Sequence, residues 1–338
     1  MRWRGLDLRC PVCKGELTDA GGAFTCAACP AEYPVILDIP DFRIFPDPFI
    51  DIEPDRAKAR LIAERYASST FEELVDFYYS ITPEVPVADR DRFKAALMAG
   101  MARGDEALAA WERQAGDTGS AGTSDLLELG CGTGGLLVAA APRYRRVAGI
   151  DLAFRWLVIG RKRLEEAGVD TPTICACAEA LPFPAGSFDR VVADSAIEHF
   201  RDQPRALREA ATALRPSGCI FITTPNRHSV GPDPHTGLWL GSWLPSSWTN
   251  AYMVRRKARP PVRTLLSMRM LAGMLTTAGF AGCRFSPPDI AEERRRRLPA
   301  MGRMIVGAYR AVKALPGASS LLLLFGPLLS VTARKRSA

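Results

Sequence analysis

The chain has 338 residues, 47% of them hydrophobic and 24% charged, with a net charge of +7. This composition excludes a disordered chain, a collagen and a disulfide-stapled miniprotein, and the length allows two domains or one large domain with an appendage. The charge is split: residues 227–338 hold 18 Lys and Arg against four acids, a net of +14, and the first 226 residues carry a net of −7. The basic third suits an anionic substrate, RNA or anionic lipid, or is a solvated surface. Residues 1–25 lack an apolar leader core, so the nine thiols are expected to stay reduced in a cytoplasmic protein. Close Cys pairs then read as metal ligands before disulfides.

Cys10-Pro-Val-Cys13 and Cys26-Ala-Ala-Cys29 form two C-x-x-C pairs with twelve residues between them. Each pair can turn two thiolates toward one ion. Two such knuckles complete a tetrahedral site suited to zinc, and four sulfur ligands leave no open position for catalysis. The ion is expected to be structural, replacing a core that so short a segment cannot supply. Its loss is expected to destabilise residues 1–43 and to spare cofactor binding. Residues 33–42, YPVILDIPDF, read as a strand followed by a turn. With LRCPVCKGEL (8–17), they resemble the small zinc-ribbon family whose stand-alone members activate tRNA and protein methyltransferases. The resemblance covers residues 6–43 and implies a ribbon over 1–43 that either docks a protein partner or only stabilises the fold.

Residues 44–56, rich in Pro and Asp, read as a linker. Residues 55–115 follow helical spacing in two stripes, Leu61, Ile62, Arg65, Tyr66 and Phe93, Leu97, Met98, Met101. GDTGSAGTS (116–124) is a loop by composition. A linker and helical cap segment is therefore placed at 44–118, and a third region at 119–338.

From residue 125 strand and helix patterns alternate. Strands are predicted at 126–130, 146–151, 173–177, 189–194 and 219–225, with helices at 134–141, 153–167 and 203–214. Such alternation predicts an α/β fold with a doubly wound, Rossmann-like sheet that binds ligands at the carboxyl ends of its strands. The first turn, Glu128-Leu-Gly130-Cys-Gly132-Thr-Gly134-Gly135, is ambiguous. Gly130, Gly132 and Gly135 fit a dinucleotide G-x-G-x-x-G, and Gly130, Gly132 and Gly134 fit G-x-G-x-G. Asp151, ending the second strand, suits ribose hydroxyls in either case.

The downstream run AEALPFPAGSFD (178–189), followed by VVADSAIEHF (191–200), resembles class I S-adenosylmethionine-dependent methyltransferases. The match spans residues 125–226 and implies a seven-stranded methyltransferase sheet. By that resemblance Glu128, Gly130, Gly132 and Gly134 hold the methionine part of S-adenosylmethionine, Asp151 holds the ribose and Leu152 packs on the adenine. Cys177, Ala178 and Glu179 stand along the adenine edge, where the family often has Asp. Asp194 faces the methionine amine or the substrate.

The three His of the chain, His199, His228 and His235, all fall between the end of the fourth strand and the loop after the fifth, the substrate-facing edge of this fold. His235 is preferred as a base for methyl transfer to oxygen, with His199 next. Ser195-Ala-Ile-Glu198-His199 also resembles the E-x-x-E-H of ubiquinone-pathway O-methyltransferases, motifs that can bind a divalent metal. Ser195 replaces the first Glu, so one ligand is missing; Glu198 and His199 either bind a second metal or cap the following loop.

An insertion at 227–262 carries Trp239, Trp243 and Trp248. It reads as a substrate lid, with Trp239 and Trp243 as walls, or as a flap packed on its own domain. A helix is predicted at 265–280, a sixth strand within 283–290 and a last strand at 328–335. The apolar run 317–333 is broken by Gly326 and Pro327, and reads as a buried helix end leading into that strand, not as a membrane span. The leading expectation is O-methylation of an apolar or aromatic small molecule. An RNA methyltransferase is the alternative favoured by the basic third, against which residues 224–227, Thr-Pro-Asn-Arg, lack the tetrapeptide of base-amine methylases. A non-catalytic partner-binding protein is the third.

Overall fold

The computed structural model describes residues 1–116, 121–233, 235–256, 258–289, 300–315 and 317–336. Residues 117–120 of the predicted loop, Pro234 and Lys257 of the predicted insertion and Ile290 of the predicted sixth strand lie outside the described residues.

The first segment is a set of short strands, each only long enough to hold a turn in place. β1 (Arg2–Trp3) and β2 (Leu6–Asp7) form a hairpin, and β3 (Leu17–Asp19), β4 (Ala23–Cys26), β5 (Glu32–Ile36) and β6 (Ile39–Pro40) make an antiparallel sheet in that order. Helices α1 (Ile52–Glu64), α2 (Phe71–Ser80), α3 (Val87–Met98) and α4 (Gly100–Ala115) follow. Thr70 and Glu73 close a capping box that sets the start of α2.

The main sheet is built from β7 (Asp125–Leu129), β8 (Arg146–Asp151), β9 (Thr173–Cys175), β10 (Phe188–Asp194), β11 (Leu214–Pro225), β12 (Phe280–Ser286) and β13 (Leu328–Lys335). Their spatial order is β12-β13-β11-β10-β7-β8-β9, with β13 antiparallel to both of its neighbours and the other pairs parallel. Helices α5 (Gly135–Ala140), α6 (Phe154–Glu166), α7 (Gln203–Ala213), α8 (Ser246–Arg255), α9 (Met268–Thr277), α10 (Ala300–Ala314) and α11 (Ser319–Phe325) follow among the described residues. The doubly wound α/β fold expected from the sequence is present. β11 begins at Leu214, five residues before the predicted start.

Alternation along the strands sends side chains to two cores. Leu126, Val192 and Phe221 pack with α1, α2, α4, α5 and α6. Leu127, Leu129, Val191, Ala193, Ile220 and Ile222 pack with α7 and α9 on the other face. That second face has a gap, because residues 176–187 between β9 and β10 form no helix. The four-Cys segment fills it: Leu6, Leu8, Phe24 and Phe42 are buried in the same core as Leu127 and Ile174. The chain leaving β6 then joins the sheet edge itself, with Asp41 in parallel register beside Cys175 and the Phe42 amide donating to the Cys175 carbonyl at 2.7 Å. The apolar face of the segment is thus occupied by the chain's own sheet.

Two expectations fail here. The linker at 44–56 is no loose tether, since Asp47 and Asp55 are buried and α1 starts at Ile52. The C-terminal apolar run does not bury its helix: α11 has no buried residue, and only β13 enters the core.

Candidate active site and metal centre

The two knuckles bring Cys10, Cys13, Cys26 and Cys29 together, all four sulfurs lying within 4.8 Å of one another. Adjacent sulfurs are 3.4 Å (Cys13–Cys26), 3.6 Å (Cys13–Cys29) and 3.8 Å (Cys10–Cys29) apart. A tetrahedron with Zn–S bonds of about 2.3 Å has edges of about 3.8 Å. The Ala28 amide donates to Cys26 Sγ at 3.4 Å and helps to hold the second knuckle. Gly15 lacks a Cβ where one would lie 3.1 Å from Cys13 Sγ and 3.3 Å from Cys26 Sγ. The cage fits a tetrahedral, thiolate-bound ion with no open position.

A second site lies at the carboxyl ends of β7, β8 and β10. A cleft of about 810 Å³ is lined by Gly130, Asp151, Leu152, Cys177, Ala178, Glu179, Glu198 and His199, among others. Gly130 has φ +78°, and a Cβ there would stand 2.6 Å from that of Ala196, so this turn tolerates only glycine. The left-handed turn also points the Gly132 amide at Asp151 Oδ2, 2.8 Å away, and the Ala153 amide meets Oδ1 at 2.8 Å. Asp151 is fixed in place with its pKa pushed up, burial outweighing these two amides.

Glu128, Gly132, Gly134 and Asp194 belong to the same turn and strand ends as Gly130, Asp151 and Ser195, which line the cleft. Glu128 is buried at the end of β7, and its Oε2 has no hydrogen-bond partner. Burial, then the charges of Asp194 and Asp151, push its pKa well up. Thr223 donates its hydroxyl to Asp194. Three carboxylates therefore converge on one turn, and one of them lacks a partner. Such a site repels the pyrophosphate of a dinucleotide and fits a cationic ligand. S-adenosylmethionine, with an ammonium and a sulfonium, has that charge.

Cys177 lines the cleft, and its sulfur is engaged with residues 44 and 45. The Ile44 amide donates to its sulfur at 3.4 Å, and the thiol contacts the Phe45 carbonyl at 3.8 Å. Glu179 caps the next helix, its Oε1 accepting from the Asp202 amide at 3.1 Å. Sequence reasoning missed the opposite wall. Phe45, Pro46, Asp47, Pro48, Phe49 and Asp51 line the cleft, all from the segment read as a linker. Only its aromatic content, Phe45 and Phe49 among prolines, hinted at a wall. Arg43 was also missed. It is paired with Asp41 at 2.7 Å and Asp55 at 2.7 Å with no side-chain exposure, in a network that reaches Arg155 through Asp55 at 2.8 Å and Asp47 at 3.1 Å.

The histidines form a directed chain. Arg263, held by the buried Asp233, donates to His235 Nδ1. Arginine has no acceptor, so His235 carries its proton on Nε2. That nitrogen is 3.3 Å from His199 Nε2, and His199 Nδ1 is 3.0 Å from the Val262 carbonyl. The carbonyl can only accept, so His199 donates from Nδ1 and presents its lone pair at Nε2. Burial, then the Arg263 charge, lowers the His235 pKa to about 4. His235 has both nitrogens engaged, is a poor proton acceptor, and does not line the cleft. These positions correct its placement as the preferred base.

The same geometry bears on a second metal. Glu198, His199 and His235 can bring ligand atoms within 4.8 Å of each other. An ion there would need the Nε2 lone pair of His235, which would put a proton on Nδ1 against the Arg263 donor. Glu198 is meanwhile engaged with Thr224, whose hydroxyl donates to it at 3.0 Å. The residues do not fit a metal in this arrangement. His228 does not line the cleft and lies tilted against Trp243 with ring centres 5.2 Å apart. Trp239 and Trp243 are 58% and 52% exposed and wall nothing. Among the described residues of the insertion Val262 lines the cleft, with Arg263 and Thr264 just beyond it.

Residues 127–222 match the family described as Methyltransferase domain. The chain is 34% identical over 105 residues to a ubiquinone biosynthesis O-methyltransferase of Chromobacterium violaceum, covering 31% of this chain and 45% of that protein. It is 29% identical over 161 residues to a ubiquinone/menaquinone biosynthesis C-methyltransferase of Bordetella parapertussis, covering 46% and 62%. It thus spans less than two thirds of either relative. Among solved structures, a Haloferax volcanii complex of the Trm112 methyltransferase activator with a methyltransferase aligns at a TM-score of 0.47 and 17% identity, covering 72% of this chain and 96% of that one. The family match falls on β7 through β11 and on the glycine turn with its acidic partners: this chain contains an S-adenosylmethionine-dependent methyltransferase domain on a Rossmann-like sheet.

Proposed function

We propose that the chain transfers a methyl group from S-adenosylmethionine to the oxygen of an apolar or aromatic small molecule, with a structural zinc ion in its four-Cys cage. The observation that carries the cofactor assignment is the unpartnered carboxylate of Glu128 beside Asp151 and Asp194. When bound, S-adenosylmethionine supplies an electrophilic methyl group on a positively charged sulfur. The acid cluster attracts that cation, and Asp151, aligned by the Gly132 and Ala153 amides, is placed to accept from ribose hydroxyls. Leu152, Phe45 and Phe49 offer apolar walls to the flat part of the ligand.

His199 is the proton acceptor of this reading. Its Nδ1 is pinned to Val262, which leaves Nε2 as the lone pair at the cleft. An acceptor hydroxyl that replaces His235 as donor to Nε2 would hand over its proton there as its oxygen bonds to the methyl carbon and the carbon–sulfur bond breaks, its electron pair passing to the sulfonium sulfur, which leaves as a neutral thioether. His235, kept neutral by burial and Arg263, positions the His199 ring and takes no proton itself. Holding the two reactants in line contributes much of the acceleration in such transfers. The apolar acceptor class follows from Phe45, Phe49, Trp156 and Phe200 around the cleft. The test is calorimetry with S-adenosylmethionine and with NAD, followed by a screen of phenols, quinols and structured RNA for uptake of a labelled methyl group. Tighter binding of NAD, or methylation of RNA in preference to every small molecule, would overturn the reading.

A further inference from the structure

The exposed aromatic face of the insertion has no role in the cleft. Trp239, Trp243 and Trp248 are 58%, 52% and 68% exposed. Trp239 and Trp243 belong to one surface, and Trp248 lies in the first turn of α8 just after it. The Trp243 indole donates to the Ser229 carbonyl at 3.0 Å, Pro232 bridges to Trp239, and the Val230 amide donates to the Phe325 carbonyl at 3.1 Å. Asn226 ties the same strand end to the Leu323, Leu324 and Gly326 carbonyls. Val230, Leu324 and Phe325 are exposed beside the tryptophans. An apolar surface of this breadth on a soluble fold marks an interaction site.

Charge says what it meets. Between Arg227 and Pro288 the sole carboxylate is Asp233, which is buried and paired with Arg263. Arg227, Arg255 and Arg256 are exposed on this surface. Indole rings mixed with arginines and free of exposed carboxylates match the boundary of an anionic bilayer, where rings sit at headgroup depth and cations meet lipid phosphates. No helix among the described residues is long and apolar enough to cross a membrane, so the contact is with its surface. The face also adjoins the cleft: Arg259 donates to the Phe49 carbonyl at 2.9 Å, and Val262 and Phe49 line it.

We propose that residues 227–256 and α11 form a docking face for an anionic lipid bilayer, and that the methyl acceptor is drawn from that bilayer; the second half rests on the methyltransferase reading above.

The experiment uses the full, zinc-loaded chain and co-sedimentation with vesicles of phosphatidylcholine alone or mixed with phosphatidylglycerol. Binding to the mixed vesicles should be salt-sensitive and should shift tryptophan emission to the blue. W239S/W248S and R255E/R256E should each weaken it by at least about tenfold, while calorimetry shows S-adenosylmethionine affinity unchanged. The docking face is overturned by failure to sediment with anionic vesicles, by undiminished binding in W239S/W248S, or by a self-associated form in ultracentrifugation that excludes vesicles. Preference for a structured RNA over the vesicles overturns it too. Vesicle binding by a chain that takes up no S-adenosylmethionine would keep the docking face and overturn the acceptor half.

Discussion

Arg43 donates through Nη1 to the carbonyl of Leu152 at 3.2 Å, the residue that follows Asp151 in the cofactor cleft. The same nitrogen bonds Asp55 at 2.7 Å, and Asp55 accepts from the Phe154 amide at 2.9 Å. The four-Cys segment therefore ends on the turn that carries Asp151. Breaking a buried pair leaves a charge without compensation, typically at about 3–5 kcal/mol. Arg43→Met should destabilise the whole chain by roughly that amount in a denaturant titration. A loss under about 1 kcal/mol would show that the network is not needed to hold the segment.

Metal removal should reach the cleft for the same reason. The segment fills the helix-free face over β7, β8 and β9, and residues 44–51 leave it to wall the cleft. Cys13→Ser, or chelation, should lower zinc content, reduce the unfolding cooperativity of the entire chain and weaken S-adenosylmethionine binding together. This replaces the expectation that the effect stays within residues 1–43. Calorimetry on metal-free protein that shows full cofactor affinity would restore that expectation. Protein that holds no zinc when prepared without chelators would remove the ion itself.

Glu128 gives a prediction with opposite signs in two measurements. Its pKa is raised by burial, so the free protein loses stability from this group as pH rises above the ordinary carboxylate range of about 4.3 toward the raised folded value. Glu128→Gln removes that cost and should raise the Tm of the free protein at neutral pH. It should also weaken cofactor binding by about 1–3 kcal/mol through the lost charge-assisted interaction. Cation uptake should lower the Glu128 pKa, so binding in mildly acidic buffer should release a proton. Titration in two buffers of different ionisation enthalpy would detect it, and its persistence in the Gln variant would assign the proton to another group.

Much of the sheet was legible because its strands are nearly all-apolar runs that end in Gly, Asp or Pro. β7 is buried at every position, as a central parallel strand must be. The glycine turn, Asp151 and the two C-x-x-C pairs were legible because their spacing is itself the geometry. What escaped was tertiary. Residues 44–51 have the composition of a linker, and nothing local says that a helix is absent between β9 and β10 and that the four-Cys segment takes its place. The His235 assignment failed for a related reason: proximity to the cleft was foreseen, but the Arg263 donor that fixes its tautomer lies 28 residues away. The insertion's tryptophans were noticed, but a pattern of rings and arginines does not tell an inward face from an outward one.

The histidine pair separates a base from the residue that positions it. His199→Ala should lower kcat by roughly 10²–10⁴ if Nε2 takes the acceptor proton. It should leave S-adenosylmethionine affinity close to that of the parent, because the cofactor contacts assigned above lie on Asp151 and the glycine turn. His235→Ala should cost less, since the Val262 carbonyl still fixes the His199 tautomer. Its distinctive effect should be on positioning: without the His235 ring at 3.3 Å, His199 loses one of its two ring contacts, so kcat should fall modestly while KM for the acceptor changes little. Acceptors of graded acidity give the final discrimination. A phenol that ionises unaided in solution should largely rescue His199→Ala, and an alcohol should not. Equal loss on both would show that His199 shapes the cleft without accepting a proton, and a larger loss in His235→Ala than in His199→Ala would reverse the two assignments.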